Sequence, residues 1–124
     1  MANVPNISDA EWVVMRVLWD KSPGTANDVI AALATETDWS PLTIKTLLNR
    51  LVKKNALGYK ADGRVYHYFP LVEEKDCMRV ESHSFLQRVY RGALTPMVAH
   101  FLESEKLSAD EIEELRRLLD KKES

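Results

Sequence analysis

The sequence predicts a mostly α-helical chain with one small β-hairpin set in its middle. Over most of the 124 residues apolar side chains recur at steps of three and four, the spacing of one helix face. Between Leu57 and Phe69 the pattern changes to a period of two, the alternation of a strand. Charge is also unevenly placed. Residues 40–70 hold Lys45, Arg50, Lys53, Lys54, Lys60 and Arg64 against Asp62 alone, a net +5, whereas residues 1–39 carry −4 and residues 71–124 carry −3. Attraction to a polyanion depends on the local face presented, because distant charges are screened, so an overall charge of −2 does not argue against nucleic acid as a partner.

The first helix is announced by Ser8 and Glu11, a capping box in which each side chain satisfies a free amide at the helix start. Trp12, Met15, Leu18 and Trp19 follow on one face, and Ser22-Pro23-Gly24 ends the run. Thr25 caps a second helix with the apolar stripe Ala26, Val29, Ile30 and Leu33, broken at Thr37-Asp38-Trp39. Ser40-Pro41 opens the third helix: the serine caps it, and proline at the first helical position lacks only an N–H that would be unpaired there anyway. Its inward residues are Ile44, Leu47, Leu48 and Leu51. A polar stripe of Thr43, Thr46, Arg50 and Lys53 faces solvent, with Leu42, Lys45 and Asn49 beside it.

Beyond Asn55, residues 57–61 and 64–69 read as two strands joined at Asp62-Gly63, residue types that tolerate the positive φ of a tight primed turn. Pro70 ends the second strand. Residues 73–91 read as a long helix stopped by Gly92, with Met78, Phe85, Leu86 and Val89 as its apolar contacts. Leu94, Met97, Val98, Phe101 and Leu102 form a short apolar helix. Ser108 and Glu111 repeat the capping box before Ile112, Leu115, Leu118 and Leu119. Charge sign and pattern both change near Leu71, which predicts a division into residues 1–71 and residues 72–124.

No run approaches the ~20 apolar residues of a membrane helix, and the N-terminus lacks the basic head and apolar stretch of a secretory signal. The single Cys77 has no internal disulfide partner and fits a reducing compartment, so a cytoplasmic location is expected. There is no Gly-rich phosphate loop, metal-ligand cluster or nucleophile motif. The sequence therefore predicts neither an enzyme nor a cofactor nor a bound metal.

Three helices followed by a hairpin, the third helix basic on its outer face, is the layout of a winged helix-turn-helix. Such a helix enters the major groove with its N-terminal residues nearest the base edges. Leu42, Thr43, Lys45 and Thr46 are thus candidates for base contact: threonine by its methyl or hydroxyl, lysine by donating to guanine. Ser40, Asn49, Arg50, Lys53 and Lys54 are candidates for the phosphate backbone, joined by Lys60, Arg64 and His67 of the hairpin. Trp12, Trp19 and Trp39 sit at helical or pre-cap positions, where core packing is expected rather than stacking on bases.

Residues 7–11 (ISDAE), 39–47 (WSPLTIKTL), Gly63-Arg64-Val65-Tyr66 with Tyr68, 82–86 (SHSFL), Phe101-Leu102-Glu103 and the segment from Leu107 to Leu115 resemble the penicillinase-repressor family, of BlaI/MecI type. The resemblance spans nearly the whole chain. It implies an N-terminal winged helix, a C-terminal helical dimerisation domain, and a homodimer that represses β-lactamase or related resistance genes at palindromic double-stranded operators. Candidate dimerisation residues are Phe85, Val89, Leu94, Met97, Val98, Phe101, Leu102, Ile112, Leu115 and Leu119. The resemblance also implies a partner, a membrane sensor-transducer with a protease domain, and induction by cleavage before a phenylalanine, here the His100–Phe101 bond. Asparagine precedes that phenylalanine in the familiar pattern, and histidine stands here. Leu42 stands where a basic residue is common, and the paired cysteines of copper-responsive relatives are absent.

The alternative expectation is a winged-helix repressor released without proteolysis, by a small molecule held between the wing domain and the dimer helices or by a metal at Cys77, His67, His83 and His100. The spacing of six between Cys77 and His83 does not share a helix face. A winged helix serving only protein contacts is a further possibility, since the fold does not dictate DNA binding.

Overall fold

The computed structural model describes residues 4–123. Helix α1 (Asp9–Asp20) starts where Ser8 Oγ accepts from the Glu11 amide at 3.2 Å and Glu11 Oε1 accepts from the Ser8 amide at 2.9 Å. Helix α2 (Ala26–Leu33) has the same reciprocal box between Thr25 and Asp28. The Thr25 amide and hydroxyl, bonded to the ionised Asp28 carboxyl, hold it below its ordinary range. Helix α3 (Pro41–Lys53) is capped by Ser40 Oγ, which accepts from the Thr43 amide at 3.2 Å.

Helix α3 stops in a Schellman motif. Asn55 adopts φ 63°, its amide bonds to Val52 O, and the Ala56 amide reaches back to Leu51 O. Ala56 and Leu57 are thereby turned into the core, and strand β1 (Leu57–Asp62) pairs antiparallel with β2 (Val65–Pro70). The register joins Leu57 to Pro70 and Asp62 to Val65, so the turn residues are Gly63 and Arg64 rather than Asp62 and Gly63. Only Gly63 has positive φ, at the first central position, where a primed turn favours glycine. Gly24 and Tyr68 exchange backbone hydrogen bonds of 3.0 and 2.7 Å, which tie the hairpin to the chain just before α2.

The core is built from Ile7, Val14, Met15 and Leu18 around α1, Val29 and Leu33 of α2, and Ile44, Leu47, Leu48 and Leu51 of α3, closed by Leu57 and Tyr68. Trp12, Trp19 and Trp39 pack against it half-buried. Helix α4 (Glu74–Tyr90) begins in this same unit: Cys77 is buried in the core, and Trp19 Nε1 donates to Val72 O at 3.0 Å. Packing consequently divides between Ser82 and His83 rather than at Leu71. The change of charge sign marks the end of the hairpin, but Val72 and the first turns of α4 belong to the N-terminal core.

The second unit holds the rest of α4 with α5 (Leu94–Ser104) and α6 (Ala109–Glu123). Phe85 lies 5.9 Å from the Tyr90 ring and is stacked 6.4 Å from Phe101, and the Tyr90 hydroxyl meets His100 Nδ1 at 2.8 Å. Helices α5 and α6 contain no buried residue. No helix among the described residues is long and apolar enough to cross a membrane.

Candidate nucleic-acid interface

Four buried residues, Ile44, Leu47, Leu48 and Leu51, define the inward direction of α3. At about 100° per residue the ridge opposite them runs through Leu42, Thr46, Asn49 and Lys53. Thr43 and Arg50 lie on one flank and Lys45 on the other; all seven side chains are exposed. The outward ridge therefore includes Leu42 and Asn49, which the sequence pattern had set to one side. Leu42, 74% exposed, is the most exposed of the large apolar side chains in the described chain.

The Thr46 hydroxyl proton is already engaged, as is one of the two protons of the Ser40 and Thr43 hydroxyls. Thr46 Oγ1 donates to Leu42 O at 2.9 Å, and the Ser40 and Thr43 hydroxyls lie 3.1 Å apart. The cations are free by contrast: the side chains of Lys45, Arg50, Lys53, Lys60 and Arg64 form no salt bridge or hydrogen bond among the described residues. An exposed cationic face without internal partners presents its full field to a polyanion.

Lys54 is different. Its Nζ donates to Glu11 Oε1 at 2.5 Å and to Asn6 O at 2.9 Å, with the Glu11 side chain only 2% exposed. Burial raises the Glu11 carboxyl, but the Lys54 ammonium and the Ser8 amide outweigh it and hold the group below its ordinary range. This cation, expected on phosphate, neutralises a buried carboxylate that spans α1 and the end of α3. Sequence spacing carries no signal for a pair separated by 43 positions.

In the hairpin, Lys60 and His67 are cross-strand partners, and Arg64 stands at the tip. A depression of about 410 Å³ beside them is lined by Pro23, Lys60, Ala61, Asp62, His67 and Phe69. On the opposite face of the hairpin Tyr59 and Tyr66 stack at 4.4 Å, with Tyr68 in contact with both. The Phe69 ring lies over Gly58, where a Cβ would come within 2.8 Å of it. Aromatic packing on both faces stiffens a two-stranded ribbon that would be marginal alone. The period-two pattern predicts the strands, and the cross-strand register is needed to see the stack.

The other candidate ligands are dispersed. Cys77 is buried, and burial, with Asp76 and Glu74 nearby, pushes its thiol up, away from the thiolate that binds metal. His100 is engaged with Tyr90. A cleft of about 750 Å³ lies between α1 and α2, lined in part by Trp12, Arg16, Val17, Lys21, Asp28 and Glu36.

The chain matches the penicillinase repressor family over residues 7–121. It belongs to that family. It is 48% identical over 120 residues to the penicillinase repressor of Bacillus licheniformis, covering 97% of this chain and 94% of that one. It is 46% identical over 116 residues to the methicillin resistance regulatory protein MecI of Staphylococcus aureus (strain N315), covering 94% of each. Among solved structures, the DNA-binding domain of the repressor BlaI is 47% identical with a TM-score of 0.55, over 61% of this chain and 93% of that one. The Bacillus licheniformis BlaI monomer in complex with the blaP half-operator gives 47% identity and a TM-score of 0.53 over the same shares. The penicillinase repressor family is one of winged-helix repressors, not enzymes, and the helices and hairpin of residues 9–70 are the winged helix of this member.

Proposed function

We propose that this chain is a transcriptional repressor that binds a palindromic DNA operator as a homodimer and controls β-lactamase or related resistance genes. The observation that carries the reading is the exposed face of α3, where Lys45, Arg50 and Lys53 have no internal partner around a ridge of groove-sized side chains. The half-operator complex of the BlaI relative supports it. Leu42, Thr43, Lys45 and Thr46 contact bases; Ser40, Asn49, Arg50, Lys53, Lys60, Arg64 and His67 hold the backbone. Lys54 acts through the fold, by holding Glu11.

The same reading makes the second unit the dimerisation region. Leu94, Val98, Phe101, Leu102, Leu115 and Leu119 are exposed in the single chain, an apolar surface suited to a second copy. Cleavage of His100–Phe101 by a membrane sensor protease would divide α5 and end repression. The bond lies inside α5, so a protease must first unwind that helix, and Ala93 offers it no side-chain cap.

A gel shift at graded salt with the DNA upstream of the gene itself tests the reading. Log affinity should fall with log salt by about 0.9 per phosphate neutralised. Salt-insensitive binding, or equal affinity for every duplex, would refute it.

A further inference from the structure

Resting on the DNA-binding reading, we infer that Leu42 is a specificity-determining residue that reads the 5-methyl group of a thymine, and that Thr46 beside it reads only as a hydrogen-bond acceptor. The strongest observation is the exposure of Leu42 at the head of the outward ridge of α3. A leucine there is absent from the core and leaves most of its surface in water. In the major groove the one apolar feature on a base edge is the thymine methyl. Leu42 can supply neither the donor that guanine needs nor the acceptor that cytosine needs, so a thymine is the base it favours.

Thr46 lies one turn on, on the same ridge. Its single hydroxyl proton is donated to Leu42 O, which leaves the hydroxyl only lone pairs to offer a base. It can then accept from adenine N6 or cytosine N4, but it has no proton for guanine O6 or N7. Lys45 is the unengaged donor of this turn, offset to the flank. The first turns of α3 thus divide the reading by chemistry: methyl contact at Leu42, acceptance at Thr46, donation at Lys45.

The test begins with duplex DNA carrying a random central stretch, from which the full-length protein selects its own sites. In the selected duplexes each thymine is replaced in turn by deoxyuridine, symmetrically in both half-sites, which removes the methyl and leaves base pairing intact. For the wild-type chain one thymine position should stand out, with affinity falling about four-fold per half-site, the value of one buried methyl-sized group. Leu42→Ala, an exposed change in a helix, should bind the thymine and uracil duplexes equally. Thr46→Val, which keeps a methyl and removes the acceptor, should lose its preference at the neighbouring adenine or cytosine. If no thymine is methyl-sensitive, or if the sensitivity persists undiminished in Leu42→Ala, the assignment of Leu42 is overturned. Selection that enriches no sequence at all would overturn instead the DNA reading on which it rests.

Discussion

The two units of this chain solve the problem of burying apolar surface in opposite ways. The N-terminal unit folds three helices and a hairpin around a closed core, with Val14, Met15, Leu18, Val29 and Leu48 fully out of solvent. In the second unit α5 and α6 bury nothing completely, and leucines as exposed as Leu118 and Leu119 line them. The first unit closes its core and displays a polar, cationic helix. The second leaves most of the apolar side chains of α5 and α6 exposed. The difference teaches that exposure has two meanings here. On α3 the exposed ridge lies among cations without internal partners, whereas on α5 and α6 the exposed surface is apolar, of the kind that another apolar surface suits.

The largest effect that would break the comparison is in the core. Leu48→Ala should cost about 3 kcal/mol in urea unfolding, since a buried leucine leaves a cavity in a closed core. Trp12, Trp19 and Trp39 all belong to the first unit, so tryptophan fluorescence follows it alone. Its transition should not depend on protein concentration, while the helical circular dichroism signal should contain a part that does. Coincident transitions that both move with concentration would erase the distinction.

Next in size is the loss of pairing. Leu115→Asp with Leu119→Asp should give a monomer in sedimentation and weaken binding to a two-half-site duplex by about 100-fold, because the two half-site contacts no longer share one molecule. The fluorescence transition should stay where it was. A dimer that persisted would move the partner surface elsewhere.

The ion pair between Glu11 and Lys54 comes third. Lys54→Ala should destabilise the first unit by about 2 kcal/mol, less than for a fully buried pair because the lysine is partly exposed. Glu11 has a lowered folded-state value, so its contribution is present above its ordinary value of 4.5 and disappears as pH falls through the lower folded value. Glu11→Gln should therefore be less stable at neutral pH and lose less on acidification. An acid profile unchanged by the substitution would remove the pair from the account.

The smallest effect is at the end of α3. Asn55→Gly should stabilise by about 0.5 kcal/mol, since glycine adopts the left-handed conformation of this position more readily. Thermal melts would show it as a small rise. A fall would mean that the Asn55 side chain holds something besides its own backbone.

Local signals made much of the first unit readable before any coordinates. Ser8 with Glu11, Thr25, and Ser40 before Pro41 mark the helix starts because a cap is chemistry between residues a turn apart. The spacing of Ile44, Leu47, Leu48 and Leu51 identified the buried face of α3, although the exposed ridge opposite it includes Leu42 and Asn49, which the pattern had set to one side. The family membership was legible from the same segments. The turn was displaced by one residue because Asp62 and Gly63 are both good turn formers, and pairing of Asp62 with Val65 decides between them. The division near Leu71 followed charge, whereas the boundary follows the packing of Val72 against the core and the burial of Cys77.

The lysine-rich segment that first set this chain apart was determined by sequence alone: its +5 charge, its caps and its helical period are properties of neighbouring residues. Tertiary structure decided how each group in it is used. Lys54 is drawn inward because a carboxylate on another helix is buried beside it, and desolvation makes that charge demand a partner. The Thr46 proton goes to the Leu42 carbonyl one turn back, so its outward face accepts rather than donates. Residue types set what a side chain can do; the three-dimensional neighbourhood set which of those capacities remained free.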